Sequence, residues 1–255
     1  VRTLQSGLEM NILNDTDQVP VQPNILFITD DQHRWDLFDQ RTIPDLRIPT
    51  LERLQREGTT FTNAVSCCPI CLPTRMGWVH GLYPSQVAAG MLGNWHPWPV
   101  GLDSMPRALQ KAGYHTALIG KLHAQGRWGD DLTDPQFVNE ARGRGFDDVM
   151  EVCGKSFAYW DDCNWTHDLE DKGLLERYRK DLERRLEQLD ADEPSDASFL
   201  SREDSADGFI GRKAREWLQA YDRDQPFFLH ASICGPHFPI DPPEEYHGRH
   251  RPEDM

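Results

Sequence analysis

Three short runs of consecutive apolar residues organise the chain, and each breaks off into polar chemistry. Asn24-Ile-Leu-Phe-Ile-Thr29 ends at Asp30-Asp31, and Tyr114-His-Thr-Ala-Leu-Ile119 opens into Gly120-Lys-Leu-His123. Pro226-Phe-Phe-Leu-His-Ala-Ser-Ile233 leads into Gly235-Pro-His-Phe-Pro239. Continuous apolar runs without alternation mark strands buried on both faces, as in parallel sheets. Helical patterns lie between them. Pro49 to Gly58 has proline at its start, Leu51 and Leu54 inside and glycine at its end, which predicts a helix of about two turns. A second helix is expected to begin at the cysteine-containing turn before Pro73 and run to His80, and a third spans Gly101 to Lys111 with Gly113 as its stop. Apolar positions at 174, 175, 178, 182, 186 and 189 share one face of a charged helix over 169–189, followed by an acidic linker over 190–198. Ile210, Ala214, Trp217, Leu218 and Tyr221 repeat the helical period over 206–221. Thr60 to Val65 reads as a short strand or extended piece, and the polar, glycine-rich stretch from Trp128 to Asp148 as mostly loop.

Strands alternating with helices predict an α/β fold. The 255 residues suit one large domain or two modest ones. Residues 1–21 look like an N-terminal extension, with order expected from Gln22 onward. The 27 Lys and Arg against 42 Asp and Glu give a net charge of -15, a surface that repels phosphate backbones and excludes nucleic acid as an expected partner. No apolar run reaches the length of a membrane span. Val1 to Val21 lacks the basic start, apolar core and cleavage site of a secretory signal, so the expected location is the cytoplasm, or outside it if a leader lies elsewhere.

Six cysteines are too few for a disulfide framework. Cys68 and Cys71 have C-x-x-C spacing, but zinc needs a second ligand pair, and Cys153 with Cys163 is a poor one at that separation. Cys67, Cys153, Cys163 and Cys234 are expected to be small buried side chains.

The chemistry collects just past the strand ends, where open α/β sheets hold ligands. Asp30 and Asp31 are oxygen donors of the kind Ca²⁺ or Mg²⁺ takes. A strand continuing through them puts them on opposite faces, whereas a turn can aim both inward. Lys121 and His123 offer a fixed cation and a proton carrier, and His237 follows the last strand. Together they describe a pocket for a tetrahedral oxyanion.

Cys71-Leu-Pro-Thr-Arg75, preceded by Phe61-Thr-Asn-Ala and followed by Gly81-Leu-Tyr-Pro84, resembles the C-x-P-x-R signature of the type I sulfatases, in the alkaline-phosphatase-like superfamily. The surrounding order is similar too, from Asp30-Asp31 through Pro49-Thr-Leu-Glu-Arg-Leu54 and Gly-Lys-Leu-His123 to Pro236-His-Phe-Pro239. The resemblance covers about residues 22 to 248. It implies a predominantly parallel central sheet with helices on both faces, and a chain that holds the N-terminal catalytic portion of a domain usually about twice as long. Over 169–198 it leaves a helical insertion and linker.

By the same resemblance, Cys71 is the residue that a formylglycine-generating enzyme oxidises while the chain is unfolded, reading the Cys, Pro and Arg. The hydrated aldehyde attacks a small-molecule sulfate ester, and sulfate is later expelled from the covalent intermediate. Asp30, Asp31 and modified Cys71 would hold a metal, usually Ca²⁺, with Mg²⁺ or Mn²⁺ as other candidates. Arg75 would hold the formylglycine, Lys121 would bridge sulfate and diol, His123 would assist removal of the diol proton, and His237 would face the leaving group. Further metal ligands are expected downstream of the Pro-His-x-Pro segment. Leu122 departs from a common tryptophan, and Cys67 and Cys68 stand where small or hydroxylated residues are usual. A phosphonate monoester or phosphodiester hydrolase on the same fold, and a catalytically incomplete sulfatase-like fragment, are the alternatives. The sequence leaves the oligomeric state unspecified.

Overall fold

The structure, a computed structural model, describes residues 22–38, 46, 48–87, 97–99, 101–124, 128–187 and 196–249. The N-terminal extension and most of the acidic linker lie outside the described residues. Strand β1 (Ile25–Asp31) comes first, followed by a 3-10 turn at Trp35–Phe38. The helices α1 (Pro49–Glu57), α2 (Cys71–His80), α3 (Pro84–Val87) and α4 (Met105–Lys111) lead to strand β2 (His115–Gly120). Then come α5 (Pro135–Gly143), β3 (Asp148–Glu151), a 3-10 turn at Phe157–Tyr159, α6 (Asn164–Asp171), α7 (Leu175–Glu187), α8 (Ala206–Ala220) and β4 (Phe227–Pro236).

The four strands form one sheet in the order β1-β4-β2-β3, and every neighbouring pair is parallel. The α/β fold with a parallel sheet is therefore as the apolar runs predict. Side chains alternate across it. Ala117, Ile119, Leu229 and Ala231 face a core that holds Trp165, Leu169, Tyr178, Leu182, Phe209 and Ile210 of α6, α7 and α8. Leu118 and Phe228 face the opposite core with Leu72, Met76 and Val79 of α2. The helix that begins at Cys71 thus packs on one face of the sheet, and helices cover both faces.

Local chemistry explains the helix starts. Ser104 accepts the Arg107 N–H at 3.2 Å and Ser205 accepts the Gly208 N–H at 3.1 Å, capping α4 and α8. Prolines occupy the first turn of α1, α4 and α5, where the missing N–H costs nothing.

Four expectations need correction. The stretch read as mostly loop contains α5 and β3; a four-residue strand among polar residues is too short to show a period. The single helix over 169–189 is two, with α6 ending and α7 beginning on either side of Gly173, whose φ of +68 suits glycine. Thr60 to Val65 forms no strand and is exposed. Cys67, expected inside, is exposed, whereas Cys153, Cys163 and Cys234 are buried. No helix among the described residues is long and apolar enough to cross a membrane.

Candidate active site

The carboxyl ends of β1, β2 and β4 converge, and the N-terminus of α2 meets them. The β1–β4 register shifts between Thr29 and Asp31, a bulge that re-aims the strand end. Because the strand continues through both aspartates, they part. Asp31 is 5% exposed and points into the cluster. Asp30 is exposed, with its Oδ2 2.5 Å from His33 Nδ1, and lines a cavity of 820 Å³ on the other side.

Asp31 is the centre of the inner cluster. Lys121 Nζ donates to its Oδ2 at 2.7 Å, Arg75 donates to the same oxygen at 3.2 Å, and the Cys71 thiol donates to Oδ1 at 3.3 Å. Burial alone would push the Asp31 carboxyl up, but Lys121 and Arg75 hold it well below the usual carboxylate range. Burial, reinforced by Asp31, pushes the Cys71 thiol up despite Lys121. Cys71 as a thiol is accordingly protonated at neutral pH and is a weak nucleophile.

Lys121 is placed by a close backbone approach. A Cβ on Gly120, at φ +113, would lie 2.0 Å from the Ser232 carbonyl oxygen. That carbonyl accepts the Lys121 N–H at 3.0 Å. Arg75, on α2, donates to the Lys121 carbonyl at 2.5 Å and to Ser232 Oγ at 2.8 Å. Thr29 Oγ1 donates to Ser232 Oγ at 3.1 Å and lies 3.0 Å from His230 Nε2. Burial, with Arg75 adding to it, brings His230 down to about 3, so it is neutral. The sequence reading missed Ser232, Thr29 and His230. A signal existed: His230 and Ser232 are polar residues two apart inside an apolar strand, hence on one face.

His123 follows at φ 59, 7% exposed, with its backbone N–H donating to Glu151 and its ring against Phe157. Neither ring nitrogen has a hydrogen-bond partner, and burial, with Lys121 and Arg75 adding to it, keeps the imidazole neutral. His237 lies between two cis peptide bonds, Gly235–Pro236 and Phe238–Pro239. Its Nδ1–H donates to the Phe238 carbonyl at 2.8 Å, which leaves Nε2 as the acceptor. Burial lowers it, and Lys121 adds to the effect.

Among the described residues, the ligand atoms of Asp31, Cys71 and His237 lie within 4.8 Å of one another. They form a candidate site for a divalent metal. A carboxylate, a thiol and an imidazole are a mixed donor set, and two cations already hold one Asp31 oxygen. Ca²⁺ takes six to eight oxygens, which this group does not supply, and Asp30 lies outside it.

The Sulfatase family model matches residues 23–254. The chain belongs to the sulfatase family. An ulvan-active sulfatase of Formosa agariphila is 29% identical over 100% of this chain and 45% of its own length. An arylsulfatase of Clostridium perfringens is 25% identical over 92% of this chain and 47% of its own. The phosphonate monoester hydrolase of Silicibacter pomeroyi superposes with a TM-score of 0.65 at 22% identity, over 92% of this chain and 45% of that one, a likeness of fold. This sulfatase-family chain therefore spans about half the length of the curated relatives it matches. Its family membership agrees with the sequence reading. Trp98 is buried in the α2-side core, where its backbone N–H donates to the Ala124 carbonyl.

Proposed function

We propose that this chain contributes to the hydrolysis of a small-molecule sulfate monoester, with Cys71 converted to formylglycine as the nucleophile. The observation that carries this reading is the meeting of Cys71, in its C-x-P-x-R frame, with Asp31, Lys121 and His237 at the ends of three parallel strands. Once formed, the hydrated aldehyde supplies one hydroxyl for attack on sulfur and a second whose deprotonation releases sulfate without an external water. Pro73 and Arg75 are buried in the folded chain, which favours a modifying enzyme that reads the motif before folding.

The chain's own groups have distinct tasks. Lys121 is a buried ammonium that offsets the charge of an incoming oxyanion beside Asp31. Arg75 fixes Asp31 and ties the start of α2 to β2 and β4. His237, which has a ring nitrogen within 4.8 Å of the ligand atoms of Asp31 and Cys71, can hydrogen-bond the leaving-group oxygen through Nε2 when protonated. Neutral His123, with unpartnered nitrogens, can accept a proton from the diol. A divalent metal of the family's kind would draw on Asp31, but the residues here do not form an oxygen shell for Ca²⁺, and Mg²⁺ or Mn²⁺ would likewise need further oxygens.

A sulfate ester, a phosphodiester and a phosphonate monoester all present tetrahedral oxyanions, so turnover decides among them. The chain, co-expressed with a formylglycine-generating enzyme, is assayed on aryl esters of all three. Sulfate turnover that is lost in Cys71→Ala supports the reading. Dominance of phosphodiester or phosphonate hydrolysis by orders of magnitude overturns the substrate class. Absence of turnover on all three, with Cys71 converted, identifies a catalytically incomplete chain.

A further inference from the structure

On the face of the sheet opposite α2, the fold brings a second pair of reactive side chains together. Cys153 follows β3 by two residues, and Cys163 is the N-cap of α6. Their Sγ atoms are 3.5 Å apart, and the residues are 5% and 0% exposed, inside the core formed by α6, α7 and α8. The hydrolytic reading uses neither. Cys234 is buried as well, but among the described residues the group of three with ligand atoms within 4.8 Å is Asp31, Cys71 and His237. A pair of thiols, not a three-thiolate metal site, is what this geometry carries.

The two sulfurs are chemically unequal. Cys163 stands at the start of an eight-residue helix, and its sulfur accepts from the backbone of that first turn. Burial alone would push its thiol up, but the hydrogen bond from Cys153 and backbone groups of Cys153, Thr166 and Trp165 bring it below the ordinary thiol range. Cys153 goes the other way, pushed well up by its hydrogen bond to Cys163 and by burial. One sulfur is suited to attack, and the other sits beside it as a protonated partner.

We propose that Cys153 and Cys163 are a peroxide-responsive dithiol that closes to a disulfide inside the core. Burial of both sulfurs favours an oxidant as small as a hydroperoxide over a bulky disulfide. The Cys163 thiolate attacks one peroxide oxygen, the O–O bond breaks, and the departing hydroxide takes up a proton and leaves as water. The resulting sulfenic acid is then attacked at sulfur by Cys153. The S–O bond breaks, and the leaving hydroxide takes the Cys153 proton as a second water. The two thiols lose two electrons in total and the peroxide gains them.

Closure draws the sulfurs from 3.5 Å to about 2 Å and ties the end of β3 to the start of α6. The adjoining residue is Gly154, where a Cβ would lie 3.5 Å from Lys121 Nζ. The disulfide therefore forms one residue from the wall behind the active-site lysine.

The test uses the full folded chain. It is treated with graded hydrogen peroxide, alkylated during denaturation and mapped without reductant. The expected product is a cross-linked peptide pair containing Cys153 and Cys163, lighter by about 2 Da and restored by a dithiol reductant. Its formation should raise the thermal midpoint by a few degrees. Cys163→Ser abolishes the cross-link and Cys234→Ser retains it. Mapping of the unsubstituted chain decides even where a variant fails to fold. Full alkylation of Cys153 and Cys163 after peroxide has oxidised exposed Cys67 would overturn the proposal. So would a cross-link through Cys234, or one that forms only in denaturant.

Discussion

Asp30 and Asp31 share a strand end, yet the two sides they face differ in almost every physical respect. Asp31 is buried with two cations on one carboxylate oxygen, and one of them, Arg75, is held in turn by Ser232 and the Lys121 carbonyl. Asp30 has a partly buried histidine, His33, beside it on a side where Leu26 and Ile28 of β1 are 48% and 58% exposed. Helix α1, whose Leu51 and Leu54 line the cavity there, buries no residue. The same functional group is thus a fixed electrostatic centre on one side and a solvated surface charge on the other. What separates them is the layer beneath, since Coulomb interactions strengthen as water is excluded.

The sharpest way to break this comparison is to remove each carboxylate. Asp31→Ala leaves two buried cations without their counter-charge and should cost about 3–5 kcal/mol in urea unfolding. Asp30→Ala should stay within about 0.5 kcal/mol. Equal costs would mean that the inner cluster is not the organised one.

Gly120→Ala comes next. Its Cβ would press on the Ser232 carbonyl, and a positive φ adds strain, so a loss of about 1–3 kcal/mol is expected. The Lys121–Asp31 contact should loosen with it. A Gly120→Ala chain with unchanged stability would show that the β2–β4 approach does not set the position of Lys121.

A smaller effect lies in pH. Folded His230 stays neutral down to about 3, whereas the unfolded chain titrates near the ordinary 6.5. Between these values the unfolded state binds the extra proton, so stability falls as pH drops from 6.5 toward 3. In His230→Leu the slope of stability against pH in that window should decrease by up to about one proton. An unaltered slope would contradict the buried, neutral reading of the inner network.

Much of this contrast could be read from the sequence, and the unread part has a physical reason. β2 and β4 announce themselves as continuous apolar runs because both of their faces are buried in a core, and β1 carries the same run although Leu26 and Ile28 on one of its faces are exposed. β3 is four residues long, and its neighbour α5 sits in a glycine-rich stretch, so neither displays enough of a period. Cys71, Arg75, Lys121, His123 and His237 were legible through motif and order, and the fold gathers them around the strand ends. The support beneath them was not, because Thr29, Ser232 and His230 meet only through the β1–β4 register. Asp30 and Asp31 show the limit most plainly. Their alternation was foreseeable from a continuing strand, but whether the strand continued was a tertiary question. Cys153 and Cys163 teach the same lesson. Their separation makes them a poor zinc pair in the sequence, and the connection between β3 and α6 brings the sulfurs to 3.5 Å.

The central claim is that Cys71, at the meeting point of α2 and three strand ends, becomes the nucleophile. Peptide mass analysis of the Cys71 segment, from a host shown to modify another sulfatase, tests it most directly. Formylglycine is expected at Cys71, with Cys67 and Cys68 retained as thiols. Unmodified Cys71 in all of the protein, in that same host, would contradict it.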